Sequence, residues 1–122
     1  MCGHVFLTMW IRAFVLTALI EIPIVVALTR GTAFPAWRRA AIAFFGQIAT
    51  HPAVWFIFPS IVGLSGRQAT LLSELWACLA EACLYAVALP GVRPLRALGV
   101  SAIANGASYG LGLAIYASWK TF

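Results

Sequence analysis

Charge is what this chain has least of. Only 9% of its 122 residues are charged, and Glu21, Glu74 and Glu81 are its three acidic side chains; an ordinary soluble domain carries about a quarter. With 63% apolar residues and a mean hydropathy of +0.97, a water-soluble globule is excluded. Cysteine is scarce too. Cys2, Cys78 and Cys83 form no CxxC pair and the last two share one apolar run, which argues against a structural disulfide or a thiolate metal site. Low-complexity sequence is missing, since ten Gly, six Pro and 13% aromatic residues are spread along the chain, so a disordered or collagen-like chain is excluded as well. HExxH, P-loop and dinucleotide signatures and a Ser-His-Asp constellation are lacking, and Ser60 and Ser65 lie in a loop with no base beside them. No cofactor is called for. At roughly 20 residues per span, what remains is an all-α polytopic membrane protein with four transmembrane helices forming a single domain over 1–122.

Long apolar runs are what the chain does have. They cover about 4–29, 35–58, 68–89 and 95–119, punctuated by the turn-forming RGTAFP at 30–35, by Pro59, and by PGVRP at 90–94. The runs exceed the ~10 residues of a barrel strand and do not alternate, so strands are disfavoured. The first run has no basic segment before it and no small-residue cleavage site, and is expected to be a retained span. A net charge of +5 would suggest nucleic acid in a soluble protein, but here it reads as topology. Arg30, Arg38, Arg39, Arg93 and Arg96 fall in the first and third loops, which should be cytoplasmic, leaving both termini and the Arg67 loop outside. Trp10, Trp55, Trp76 and Trp119 then lie toward the outer ends and Trp37 toward the inner. Arg12 and Lys120 run against this topology and would have to snorkel to the outer headgroups.

The chain also repeats itself. RRAAIAFFGQIATHPA from Arg38 lies over RALGVSAIANGASYGL from Arg96, setting Gln47 on Asn105, Thr50 on Ser108 and His51 on Tyr109. Upstream, EIPIVVAL from Glu21 falls on EACLYAVAL from Glu81. Two tandem helical hairpins result, about 5–58 and 68–119, related by an axis along the membrane normal. A Glu in one span, a basic loop, then GQIATHP, followed by a second half ending in ANGASYG, resembles a group of small four-helix integral membrane proteins of bacteria built on A-N-x-x-T-H-P and A-N-x-x-S motifs. Gln47 stands where the first motif has Asn. The resemblance implies the fold, a bacterial inner membrane and the positions that matter, and no particular activity.

A charged side chain in a bilayer costs about 3 kcal/mol or more, so the three glutamates are the most informative residues. At 1.5 Å per residue, Glu21 and Glu81 lie about 12 Å, and Gln47 and Asn105 about 16 Å, from the cytoplasmic ends of their helices, near one level. His51 and Glu74 share a level nearer the outer face. Glu74 and Glu81 are seven apart, Gln47 and His51 four apart, and Ser101, Asn105 and Ser108 follow i, i+4, i+7, so all can face one interior. The candidate site is therefore Glu21, Gln47, His51, Glu74, Glu81, Asn105 and Ser108. Its groups suit a proton, a cation or a small solute, and His51, Glu74 and Glu81 offer a weak metal ligand set. The same groups equally serve as interhelical hydrogen-bond glue in a scaffold or an accessory subunit of a membrane complex. A third reading is acid/base catalysis by Glu81 and His51 on a lipid-soluble substrate. Pro23 and Pro52 should kink their helices beside Glu21 and His51, and Gly106 and Gly110 form a GxxxG through which a homo-oligomer can pack.

Overall fold

The computed structural model describes residues 2–120, with side chains over 3–118; the readings that fall on the side chains of Cys2, Trp119 and Lys120 lie outside the described residues. Four helices, α1 (Cys2–Leu28), α2 (Ala36–Pro52), α3 (Gly66–Ala88) and α4 (Pro94–Lys120), follow one another with no strand among the described residues. A π-helical turn (Ala53–Ile57) and a 3-10 turn (Phe58–Ser60) extend α2. All four segments are long and apolar enough to cross a membrane. Each helix packs on its neighbours in sequence, and α4 closes on α1, which makes a four-sided helical membrane bundle.

The packing is inside-out relative to a soluble bundle, because lipid tails give apolar side chains no reason to hide. Large apolar residues such as Leu19, Phe45, Val87 and Leu95 face outward, while the interior is made of Ala43, Ala77, Ala82, Ala97 and Ala104 together with polar side chains. Small residues bring the backbones close enough for short polar side chains to meet. At Gly46 on α2 the approach is tightest. A Cβ placed there would stand 3.3 Å from Leu84 Cδ2, 3.5 Å from Glu81 Cγ and 3.7 Å from the Tyr85 hydroxyl.

The two ends of the bundle are built differently. Where α1 and α3 finish and α2 and α4 begin, Val25, Ala43, Tyr85, Leu89, Val92, Ala97, Val100 and Ala104 form one buried apolar cluster. Two arginines close that end by serving the carbonyls a helix terminus leaves unpaired. Arg39, 9% exposed, donates to the Phe34 carbonyl at 3.1 Å, to the Thr29 hydroxyl at 3.0 Å and to the Val26 carbonyl. Arg96 donates from α4 to the carbonyls of Leu28 (2.9 Å) and Arg30 (2.8 Å), so both basic loops lie at one end. Arg39 and Arg96, expected as topology anchors or as a pocket for anionic headgroups, are also the locks on the end of α1. Each basic loop turns on a glycine at φ +82°, Gly31 and Gly91, a conformation an L side chain resists.

At the opposite end, Ser65 caps α3: its hydroxyl accepts from the Gln68 N–H at 3.2 Å while Gln68 Oε1 accepts from the Ser65 N–H at 2.9 Å. Arg67 therefore sits in the first turn of α3 and not in the loop. The prolines behave unequally. Pro23 lies inside an unbroken α1, whereas Pro52 ends α2 and the next turn widens, the Phe58 N–H donating to the Ala53 carbonyl five residues back. Proline has no N–H to keep the ordinary ladder, and π turns of this kind concentrate at functional sites.

The Gly46 contact makes a test of the bundle. Gly46→Val should crowd Leu84 and cost about 1–3 kcal/mol, as overpacking does, read as a lower unfolding midpoint in detergent or nanodiscs. Gly99→Val, where a Cβ meets nothing within 4 Å, should leave the midpoint nearly unchanged.

Candidate functional site

Six of the polar residues form a closed set across all four helices. Gln47 Nε2 on α2 donates to Glu21 Oε2 on α1, and lies 3.4 Å from Glu81 Oε1 on α3. The Ser108 hydroxyl on α4 meets Glu21 Oε1. Asn105 Nδ2 on α4 donates to Glu81 Oε2 at 2.8 Å, and the Thr50 hydroxyl on α2 lies 2.8 Å from Glu81 Oε1. Each glutamate thus takes the carboxamide of the helix that follows it and a hydroxyl from the other hairpin. Glu21 with Gln47 and Ser108 corresponds, residue for residue, to Glu81 with Asn105 and Thr50. Both glutamates are 1% exposed, and the set is their replacement for water.

Counting hydrogens shows what the clasp can hold. Gln47 has two amide hydrogens for two carboxylates. Thr50 and Ser108, by contrast, have one hydroxyl hydrogen each and two acceptors each: Thr50 also lies 2.9 Å from the Gly46 carbonyl, and Ser108 3.1 Å from the Asn105 carbonyl. A proton on each carboxyl would complete the second contact at both hydroxyls. Lys or Arg does not enter the clasp, and no ion pair occurs among the described residues, so protons or a bound cation must balance its charge.

Above the clasp, toward the Ser65 end, lies a cavity of about 200 Å³ reached by Glu21, Gln47, Thr50, His51, Glu74, Glu81, Asn105 and Ser108, with Trp55, Tyr109 and Leu113 also on its wall. A second, wider hollow of about 510 Å³ lies beyond it, between α1, the π turn and the start of α3. Val54, Trp55 and Glu74 line both. No Lys or Arg lines either one.

Two groups on the cavity are not spoken for. His51 is 7% exposed, its ring set against Phe14 (centroids 5.4 Å apart), Trp10 and Trp55 (6.1 Å each), and its Nε2 is itself buried, closed off from the cavity and without a hydrogen-bond partner. Glu74, half-buried, makes no side-chain hydrogen bond among the described residues, although it stands near enough to Glu81 to feel its charge. The seven candidate residues of the sequence reading therefore come together around one cavity but divide into five that bind one another and two that do not.

One expectation changes. The proposed metal ligands His51, Glu74 and Glu81 line the cavity yet form no cluster able to hold a metal among the described residues, because Glu81 is turned into the clasp while His51 is held in its aromatic box. Gly106 and Gly110 face outward with nothing of this chain within 4 Å of a Cβ, so the GxxxG does not serve packing inside the bundle. Sequence reasoning left Thr50 out of the site, although its alignment with Ser108 was the signal for it. Tyr85 had no signal at all: it is fully buried beside Gly46, its hydroxyl without a partner.

Thr50→Val keeps the shape and removes the hydroxyl, and Ser108→Ala does the same for the other half. Each should lower stability by about 0.6–1.7 kcal/mol, the range of interhelical side-chain hydrogen bonds in membranes. Thr50→Val combined with Glu81→Leu should lose less than the sum of the two, measured as a double-mutant cycle by unfolding in mixed micelles.

No family model matches the chain, and neither the curated proteins nor the solved structures provide a match, so its own residues carry the functional reading.

Proposed function

We propose that this chain is a small integral membrane protein whose buried polar site takes a proton, a cation or a small solute, and that it works in transport or permeation. The observation that carries the reading is the paired hollows at the Ser65 end: one acidic path, with Glu74 at the junction, leads inward to Glu21 and Glu81 without meeting a positive side chain. Negative charge focused between low-dielectric walls concentrates cations. The opposite end is stopped by the apolar cluster and the two arginines, which makes the site a cup open to one side.

The orientation that goes with this reading has the arginine-rich loops in the cytoplasm, both termini outside and the cup facing outward, in a bacterial inner membrane. Lipid surrounds the outward apolar faces, and the exposed Gly106 and Gly110 face suits a second copy or another membrane subunit. The matched hydrogen bonds of Glu21 and Glu81 support an internal duplication of one hairpin. Passage to the closed end would need rearrangement, which the π turn after Pro52 would take up.

A second reading has an observation of its own. The clasp saturates five of the seven candidate residues, as a scaffold or accessory subunit would need it to. In proteoliposomes carrying proton- and cation-sensitive dyes, the transport reading expects flux down a gradient that Glu74→Gln removes while the unfolding midpoint stays that of the parent. Glutamine keeps the shape and cannot ionise. Absence of flux under any gradient, with Glu21→Gln and Glu81→Gln changing stability alone, would overturn transport in favour of the scaffold.

A further inference from the structure

Five of the eight basic side chains, Arg30, Arg38, Arg39, Arg93 and Arg96, gather where α1 and α3 finish and α2 and α4 begin. Hydrogen bonds fix the gathering: Arg96 reaches from α4 to the carbonyls of Leu28 and Arg30, and Arg39 reaches from α2 to those of Val26 and Phe34. The three acidic side chains are all elsewhere, Glu21 and Glu81 in the clasp and Glu74 on the cavity wall above it. Five guanidiniums therefore share one end with no carboxylate side chain among them. Like charges held this close repel unless something of opposite sign lies against them.

Most of their hydrogen-bonding capacity is unspent. Arg39 is buried and committed to the lock, but Arg96 spends Nη2 alone and keeps Nε and Nη1 open. Arg30 and Arg93 are exposed, and their side chains make no hydrogen bond among the described residues. Arg38, also exposed, is held by rings, its Cζ 4.7 Å from the centroid of Phe34 and 5.8 Å from that of Trp37. A guanidinium stacked on a ring keeps its in-plane N–H groups for an oxyanion, and its fork matches phosphate oxygens in pairs.

Depth selects the kind of anion. The apolar spans begin at Ala36 and Pro94, so Arg38 and Arg96 each stand two residues inside a span, about 3 Å at 1.5 Å per residue, while Arg30 and Arg93 lie outside. Trp37, 70% exposed, and Leu95, 81% exposed, adjoin them. An indole at the start of a span belongs at headgroup level. An acidic peptide or a nucleic acid arriving from water would engage the arginines and leave Trp37 and Leu95 uncovered, whereas a lipid with an anionic headgroup covers both.

We propose that the arginine end is a docking surface for anionic phospholipids, their phosphates received by Arg30, Arg38, Arg93 and the open nitrogens of Arg96, and their chains laid along the outward faces of α2 and α4 from Trp37 and Leu95. A headgroup on Arg96 meets the side chain that holds the end of α1, so the lipid also braces the closed end of the bundle. The assignment is independent of the transport reading, because it requires only that the bundle sit in a membrane.

The test is native mass spectrometry of the protein released from neutral-detergent micelles after titration with phosphatidylglycerol, which has one negative charge, with phosphatidylcholine, which has the same phosphate and no net charge, and with inorganic phosphate. Saturable retention of phosphatidylglycerol, about tenfold or more tighter than phosphatidylcholine and weakened by salt, is the expected result. An arginine near an anionic surface contributes about fivefold, so Arg30→Gln, Arg38→Gln and Arg93→Gln combined should weaken retention by about a hundredfold with the lipid-free unfolding midpoint nearly that of the parent. Should the triple variant unfold, Arg30→Gln and Arg93→Gln singly, at about fivefold each, carry the test. Arg67→Gln at the opposite end should retain the lipid as the parent does. Equal retention of the two lipids, retention indifferent to the arginine variants, or an equal loss in Arg67→Gln would overturn the docking surface. Inorganic phosphate that displaces the lipid at equal concentration overturns the lipid in favour of a free anion, and poly-glutamate that does so overturns it in favour of an acidic partner from water.

Discussion

Gln47 has two amide hydrogens, and the bundle places a glutamate within reach of each. That one side chain on α2 joins α1 to α3 deep in the bundle. Most else in the structure follows from the requirement that polar groups in a bilayer be satisfied from within. Alanine and glycine fill the interior because the carboxamides and hydroxyls are short and the backbones must come close. The large apolar residues are pushed outward, where the lipid accepts them at no cost. Serine and threonine complete the set because a hydroxyl can give and receive, which lets a single residue serve both its own helix carbonyl and a neighbour's carboxylate.

Those facts explain which parts of the architecture could be read from the residues. Span number and span limits are legible because a twenty-residue apolar run has no other stable form in a membrane. The common level of Glu21, Gln47, Glu81 and Asn105 is legible because rise per residue is fixed. Partner choice is not, since it depends on how each helix is rotated about its axis. Ser101 shares a face with Asn105 and accepts from its Nδ2 at 3.3 Å, yet donates to the Cys78 carbonyl at 2.7 Å and not to a glutamate. Arg39 looks like any loop arginine in sequence, and only the fold brings the end of α1 over it. Hydropathy likewise has no term for a π turn: the second apolar run is uniform as text, and Pro52 divides it into an α-helical part and a wider turn. His51 shows the same limit, because its unpaired nitrogen depends on a box of Trp10, Phe14 and Trp55 that two separate stretches of chain assemble.

The two hairpins agree in the clasp and disagree above it. Thr50 and Ser108 occupy matching places, but one residue further on, His51 of the first hairpin is answered by Tyr109 of the second. One turn further, α2 loosens into the π turn while α4 continues without a break. Glu74 lies seven residues before Glu81, and its counterpart in the first hairpin by the same alignment is Phe14, which packs on His51. Below the clasp the halves differ in bulk, Tyr85 answering Val25, both fully buried in the plug.

Matching contacts hold the four helices to one another, and the mismatches fall on the walls of the cavity. A symmetric clasp closes on itself: each glutamate is met by a carboxamide of its own hairpin and a hydroxyl of the other. Unspent acceptors arise where the correspondence fails, at Glu74 opposite Phe14 and at His51 opposite Tyr109. The frame and the site are thus products of the same pair of hairpins, the frame from what the two share and the site from where they part. A polar cup in a chain this short follows from that division, since four helices suffice to hold the clasp and the unmatched Glu74 carboxylate is left on the cavity wall.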